Sequence, residues 1–194
     1  MAQQAAKNPE VPTRELKGWV IPLLRLFAFS AFVSATVVMA LNKQTKAFVV
    51  ATIGSNPIKA TVTAKFQHTP AFVFFVVANS VASMHNLLIL AIQSIGRKYD
   101  FKGNRFAVIA ISDMLTVALV SGGASGAAFM GYLGRKGNSH ARWNKICDKF
   151  DTFCDHGAGA MIASFIGLVL LIIVNVISII KLQNRSTANC SVVP

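Results

Sequence analysis

The stretch that decides the fold is residues 157–180, GAGAMIASFIGLVLLIIVNVISII, which runs for 24 residues without one charged side chain. A helix needs about 20 mostly apolar residues to cross a hydrocarbon core of roughly 30 Å, so this segment is long enough to span a membrane. In a bilayer every backbone polar group has to find a partner inside the protein, and a single segment achieves this as a helix. Residues 157–180 therefore predict a transmembrane helix.

Three further segments of the same kind lie upstream, at residues 19–41, 70–92 and 106–129. The chain has 19 basic and 7 acidic side chains, yet the four spans together contain only two of them, Arg25 and Asp113. Consecutive helices that each cross the membrane run in opposite directions, which gives an up-and-down bundle. The predicted fold class is an all-α membrane protein, an antiparallel bundle of four transmembrane helices.

The composition of the whole chain excludes several other classes. Of its 194 residues 54% are hydrophobic and 13% are charged, whereas soluble proteins carry about 25% charged residues. These values exclude an ordinary soluble domain, a disordered chain and a collagen-like repeat. The net charge of +12 is spread over both sides of the membrane rather than gathered on one face, so no nucleic-acid partner is expected.

The first span has a second interpretation, a cleaved signal peptide, because basic residues precede it and small residues occur near its end. A signal core usually has about 7–15 apolar residues. Residues 26–41 run for 16 and end at no clear small-x-small cleavage site, which favours a retained span. Four retained spans place both termini on one side of the membrane.

The distribution of basic residues does not decide the orientation, because nine Lys and Arg lie on each side of the membrane. Cys147 and Cys154 are separated by six residues in the loop between the third and fourth spans. A disulfide between them requires an oxidising compartment, and two free thiols are the alternative. The disulfide interpretation predicts extracellular loops at 42–69 and 130–156, with a cytosolic arm at 1–18 and a cytosolic tail at 181–194.

A polar layer is expected inside the membrane. Arg25 lies six residues into the first span and Asp113 seven into the third, which is about 9–10 Å below the cytosolic surface at 1.5 Å per residue. Counting back from the cytosolic ends of the other two spans brings His85, Asn86 and Asn175 to a similar depth. One interpretation is structural, an ion pair with supporting hydrogen bonds that selects neighbouring helices. The other is a proton or ion relay, because intramembrane Asp and His also mark transport paths.

We favour the structural interpretation of this layer, because one acid and one base provide no ladder of titratable groups to the opposite surface. Small residues at a spacing of four indicate close helix packing, either within one bundle or between copies of the chain. They form two stripes, Ala118, Gly122 and Gly126 in the third span and Gly159, Ala163 and Gly167 in the fourth.

The chain shows no catalytic motif. It contains no HExxH pair, no G-x-S-x-G elbow within a strand-turn-helix pattern, no P-loop and no G-x-G-x-x-G fingerprint. The spacing of Cys147 and Cys154 suits neither a redox C-x-x-C motif nor a zinc pair, and His156 alone does not complete a metal site. We therefore expect no enzyme activity, no cofactor and no metal.

Three segments carry a resemblance to a known family. They are ATIGSNPI at 51–58, TAKFQHTPAF at 63–72 and GRKGNSHARWNKIC at 134–147. With the four spans, Arg25 and Asp113, they resemble the plant Casparian strip membrane domain protein family, and within it the first subgroup of CASP-like proteins. The similarity covers residues from about 14 to 181, and that family is related to the MARVEL-type tetraspan proteins.

The resemblance implies a plant plasma-membrane scaffold that associates with itself and its relatives, as homo- or hetero-oligomers, into membrane domains. It maps the family's intramembrane charges onto Arg25 and Asp113 and its second-loop cysteine pair onto Cys147 and Cys154. Membrane lipid and wall-side proteins are the other expected partners. Residues 42–69 do not resemble the first-loop signature of the members that build the Casparian strip, so a role in lignin deposition does not follow. The alternative function is a small ion or proton transporter or channel that uses Asp113 and His85.

Overall fold

The computed structural model describes residues 13–53, 56–96 and 105–190. Four long helices dominate it, and all four are long and apolar enough to cross a membrane. The prediction of an all-α bundle of four transmembrane helices is confirmed. The helices are α1 at Thr13–Leu41, α2 at Pro70–Gly96, α3 at Arg105–Lys136 and α4 at Asp151–Cys190.

All four helices extend beyond the predicted spans at one end or both. Helix α1 begins at Thr13, inside the segment predicted as the N-terminal arm, and α4 continues to Cys190, inside the predicted C-terminal tail. The remaining residues of that arm and tail, 1–12 and 191–194, lie outside the described part of the chain. The extensions follow from helix propagation, because each added residue gains one backbone hydrogen bond once a helix has formed.

The helices form a closed ring in which α1 packs against α2 and α4, and α3 packs against the same two neighbours. The helices α1 and α3 therefore stand diagonally across the bundle. Two apolar clusters fill the centre. One contains Ala28, Phe32, Ala82, Val120, Leu168 and Leu171, and the other contains Ala35, Met39, Phe75, Ala124, Ala127 and Ala160. The many alanines keep the helices close together, while larger apolar side chains on the outer faces are exposed, as lipid contact requires.

An antiparallel β-hairpin occupies the first loop, where the sequence analysis predicted no regular structure. Its strands are β1 at Lys43–Ile53 and β2 at Asn56–Lys65, paired from Lys43 opposite Lys65 to Ile53 opposite Asn56, with a bulge between Val49 and Ala51. A short 3-10 turn at Phe66–His68 then leads into α2.

Candidate functional site

The central polar contact joins the two helices that stand diagonally in the ring. The Arg25 guanidinium donates from Nη1 to Oδ1 of Asp113 at 2.9 Å and from Nη2 to Oδ2 at 2.5 Å. Both side chains have no exposed area. A guanidinium and a carboxylate that make two parallel hydrogen bonds form the most specific kind of charged contact, because the planar fork fits only one relative orientation. The contact therefore fixes the distance and the rotation of α1 relative to α3.

A third helix reaches the same carboxylate. His85 on α2 places Nε2 at 2.8 Å from Oδ1 of Asp113, and its side chain is 13% exposed. Because an ionised carboxylate only accepts hydrogen bonds, the histidine nitrogen donates in this contact. Asp113 thus receives hydrogen bonds from α1 and from α2, and three of the four helices meet at one side chain.

The two asparagines expected to support this layer are buried but do not bond to the ion pair in the described residues. Asn86 donates from Nδ2 to the carbonyl of Ala82 on its own helix at 2.9 Å, and its Oδ1 has no protein partner. Asn175 also leaves its Oδ1 without a partner. His85 lies at the same depth as Asp113 and faces it, so the two side chains bond. Asn86 and Asn175 lie at a similar depth, but α2 and α4 are rotated so that these side chains do not face the ion pair.

A second polar contact lies deeper in the bundle and was missed by the sequence analysis. Ser164 on α4 donates from Oγ to Oδ1 of Asn79 on α2 at 2.7 Å, and both side chains are fully buried. Asn79 donates in turn to the carbonyl of Phe75 at 2.8 Å. Counting residues from the start of each span would have found this pair, because Asn79 is nine residues into the second span and Ser164 seven into the fourth.

The hairpin is attached to the first turn of α4 by a glutamine. Gln44 donates from Nε2 to Oδ1 of Asp151 at 3.0 Å and accepts at Oε1 from the backbone N–H of Phe153 at 2.9 Å. Lys46 adds an exposed ion pair to Asp151 at 2.8 Å. Asn42 donates to the carbonyl of Phe153 at 2.7 Å. The first N–H groups of a helix have no partner within it, so Gln44 supplies from β1 an acceptor that α4 lacks.

The second loop is closed by a disulfide between Cys147 and Cys154, whose Cα atoms are 5.7 Å apart. Cys154 belongs to the first turns of α4, so the bond ties the loop to that helix. The backbone N–H groups of Ile146 and Cys147 both donate to the carbonyl of Gly134 near the end of α3. The loop is therefore held at both of its flanking helices.

The two small-residue stripes divide between the inside and the outside of the bundle. Gly167 lies inside, where an added Cβ would come within 2.8 Å of Cε1 of Phe32, so its bare backbone makes room for that ring. Gly126 and Gly159 have no atom within 4 Å of such a Cβ. Ala118, Gly122 and Gly159 are exposed, while Gly126 and Ala163 are partly buried. Most of both stripes therefore faces away from the core.

No cluster of three or more His, Cys, Asp or Glu side chains that could hold a metal ion occurs within residues 13–53, 56–96 and 105–190. Within the same described residues, side-chain hydrogen bonds join Arg25 and His85 to Asp113 and join Ser164 to Asn79. Chemically it can hold helices in register and orient the Asp113 carboxylate.

Comparison with known proteins places this bundle in a family. The Casparian strip membrane protein domain matches residues 16–170. A CASP-like protein 1B2 of Populus trichocarpa is 59% identical over 197 residues, which cover 100% of this chain and 99% of that protein. A CASP-like protein 1B1 of the same plant is 64% identical over 90% of each chain.

A CASP-like protein 1B2 of Arabidopsis thaliana is 58% identical over 88% of this chain and 87% of its own length. None of the solved structures matches the chain at a significant level. The matches extend from α1 into α4 and include the residues of the ion pair, the hairpin and the disulfide. The chain, a multi-pass membrane protein, belongs to the Casparian strip membrane protein domain family.

Proposed function

We propose that this protein is a non-enzymatic scaffold of the plasma membrane, which associates laterally with copies of itself and with its relatives. In this proposal both termini are cytosolic, and the hairpin and the second loop face wall-side proteins. The observation that carries the proposal is a layer of fully buried apolar side chains in the centre of the bundle. Phe32 and Val120 lie two turns beyond Arg25 and Asp113 on the same helices, and both are fully buried.

This apolar layer supports a structural role for the charges. A relay needs polar groups or water along its path, whereas here the fully buried side chains of Phe32, Val120 and Leu171 form one cluster next to the ion pair. The charges of Arg25 and Asp113 are already satisfied by each other. What remains available for interaction is the outer surface of the helices and the hairpin side of the molecule.

Self-association is supported by the outward position of the small residues. In lipid, helices associate through close van der Waals packing, and small side chains allow the backbones to approach. A Cβ added at Gly126 or Gly159 meets no atom within 4 Å, so both positions face open space. Substitution at these positions therefore tests contacts between copies without changing the core of one copy.

The experiment is fluorescence recovery after photobleaching of the tagged protein in a plant plasma membrane. We expect slow recovery in discrete patches for the unchanged protein and faster recovery for the double variant Gly126→Leu and Gly159→Leu. Ser34→Leu on the exposed side of α1 is the matched control and should recover as slowly as the unchanged protein. Fast and uniform recovery of the unchanged protein would contradict the scaffold.

The orientation is supported by the disulfide of the second loop, which persists in an oxidising compartment. Lys59→Asn creates the glycosylation acceptor Asn-Ala-Thr at 59–61 in the exposed strand β2. We expect this variant to gain a glycan that an endoglycosidase removes, because an extracellular hairpin passes through the secretory lumen. Lys59→Gln is the control without an acceptor, and an unglycosylated Lys59→Asn protein would argue for the opposite orientation.

A transporter is the second candidate, and the contact of His85 with Asp113 is the observation in its favour. Transport predicts that Asp113→Asn reaches the membrane and abolishes a pH-dependent flux into liposomes that contain a pH-sensitive dye. The scaffold predicts no such flux for the unchanged protein. The two functions are therefore separated by a measurement on the unchanged protein alone.

A further inference from the structure

A large cavity opens between the hairpin and the bundle. Its volume is about 790 Å³, and its walls come from β2, the start of α2, the end of α3, the second loop and the first turns of α4. Four of the helix positions that line it, Ala128, Gly131, Gly157 and Ala158, carry little or no side chain. Protein interiors are otherwise closely packed, so a space of this size is large enough to hold a ligand. Its volume falls within the range of about 300–1,000 Å³ that is usual for small-molecule sites.

The deep part of the cavity is apolar. Met39, Phe72, Phe153 and Met161 form its inner wall, and the methionines are flexible enough to adapt to an irregular ligand. The wall continues along α4 from Gly157 to Phe165, a distance of about 12 Å at 1.5 Å per residue. That depth is close to half of a hydrocarbon core of about 30 Å.

The cavity also communicates with the lipid. Ile162 and Phe165 line it and are exposed on the outer side of α4. A molecule dissolved in the leaflet on the hairpin side can therefore enter sideways, without passing through water. Trp143 of the second loop lies on the wall of the same cavity and reports on its contents.

Every charged or titratable group on the wall, apart from the tyrosine hydroxyl, is basic. These groups are Lys65, His68, Arg135 and Lys136, and no Asp or Glu is among the residues that line the cavity. Arg135 is paired with Asp155, which lies outside the lining. All four belong to the end of the cavity near the hairpin, where β2 ends and α3 ends. An apolar space with cations at its outer end matches an apolar tail with an anionic head group.

We propose that this cavity binds a long-chain fatty acid from the leaflet on the hairpin side. The tail lies along Met39 and Met161 toward Phe165, and the carboxylate receives hydrogen bonds from Lys65 and Lys136. Binding of this kind is independent of the scaffold proposal, because it needs one copy of the chain.

The test uses a doxyl-labelled stearic acid, whose nitroxide quenches tryptophan at short range, with the full chain in phosphatidylcholine nanodiscs. Trp19→Phe provides the background, because the chain has two tryptophans and Trp143 then remains as the fluorophore. We expect saturable quenching by the acid. The methyl ester of the same labelled chain should bind about tenfold more weakly, as loss of a charge-assisted hydrogen bond implies.

Two variants and a matched control locate the site. Ala158→Phe fills the cavity and should abolish the saturable quenching, whereas Gly159→Phe at the next position points into open space and should leave it unchanged. The double variant Lys65→Gln and Lys136→Gln should remove the preference for the acid over the ester. Because it does not fill the cavity, this variant still tests the site if Ala158→Phe does not fold. Linear quenching that is equal in all proteins, or equal binding of acid and ester to the unchanged protein, would overturn the proposal.

Discussion

Arg25 and Asp113 meet across the diagonal of the bundle, from two helices that do not neighbour each other in the ring. Contacts between neighbours could be satisfied at several rotations of each helix, whereas a bidentate pair through the centre is made at one rotation of α1 and α3. The contact of His85 with the same carboxylate extends this restriction to α2.

The first prediction concerns this ion pair. Arg25→Met leaves the Asp113 carboxylate buried without its partner, and removal of one member of a buried pair usually costs about 3–5 kcal/mol. We expect Arg25→Met and Asp113→Leu each to lower the folded fraction recovered in mild detergent, measured by size-exclusion chromatography. Lys46→Met, which breaks the exposed pair with Asp151, is the control and should leave the folded fraction nearly unchanged, because solvent screens an exposed pair.

Charge reversal extends the same test. Arg25→Asp and Asp113→Arg together should recover part of the folded protein that each reversal alone loses. Recovery is expected to be incomplete, because the reversed pair places a cation beside His85. A double variant no better than the worse single variant would argue that the two side chains are not coupled.

The second prediction concerns Gly167. Gly167→Ala introduces a methyl group at 2.8 Å from the Phe32 ring, so one of the two has to shift. We expect a loss of about 1–3 kcal/mol in the free energy of unfolding, as is usual for overpacking, measured by denaturation with sodium dodecyl sulfate. Phe32→Leu in the same chain should relieve the clash. Gly159→Ala, which meets nothing within 4 Å, should be neutral or slightly stabilising.

The third prediction concerns the buried contact of Ser164 with Asn79. Ser164→Ala leaves the Asn79 carbonyl oxygen without its donor, and we expect a loss of about 0.6–2 kcal/mol, the range for hydrogen bonds between helices in a membrane. Asn79→Leu combined with Ser164→Ala completes a double-mutant cycle. Strict additivity of the two single effects would show that the contact contributes no coupling energy.

The fourth prediction concerns the attachment of the hairpin. Gln44→Ala removes both hydrogen bonds to the first turn of α4, so the amide of Phe153 should exchange its hydrogen faster by mass spectrometry. Faster exchange should extend over β1 and β2, while the buried core of α4 around Leu171 stays protected. Thr61→Ala on exposed β2 is the control. Unchanged exchange in Gln44→Ala would mean that other contacts hold the hairpin.

The fifth prediction concerns the disulfide. In a Cys190→Ser background, a maleimide should label Cys147 and Cys154 only after reduction, because the bond consumes both thiols. Labelling is read as a mass shift of the intact protein. Cys154→Ser in this background should expose one thiol without reductant. Labelling of both cysteines in the unreduced protein would contradict the disulfide.

The membrane helices were predictable because their signal is contained in each segment. Residues 157–180 are long and uncharged, and nothing elsewhere in the chain changes what a bilayer requires of them. The depth of Arg25 and Asp113 below the membrane surface could likewise be predicted by counting residues from the start of each span, because a helix has a fixed rise per residue. Depth does not determine rotation, however, which is why Asn86 and Asn175 share the layer without bonding to the ion pair.

The hairpin was not predicted, although β-branched residues in the first loop favour strands. The sequence predicts residues 42–69 only as the loop between the first and second spans. Predicting the hairpin's position would have required knowledge of a tertiary contact. The Gln44 side chain bonds to α4, which lies more than 100 residues further along the chain. A contact of that range depends on where α4 begins relative to the end of α1, which local patterns do not contain.

The ion pair between Arg25 and Asp113 can form only after both α1 and α3 have been synthesised. Asp113 follows Arg25 by 88 residues, and synthesis proceeds at about 5–20 residues per second, so the pair is delayed by roughly 4–18 seconds. During that interval α2 is synthesised while the arginine still lacks its carboxylate. Arg25 can therefore reach its final, fully buried position only after α3 has been synthesised.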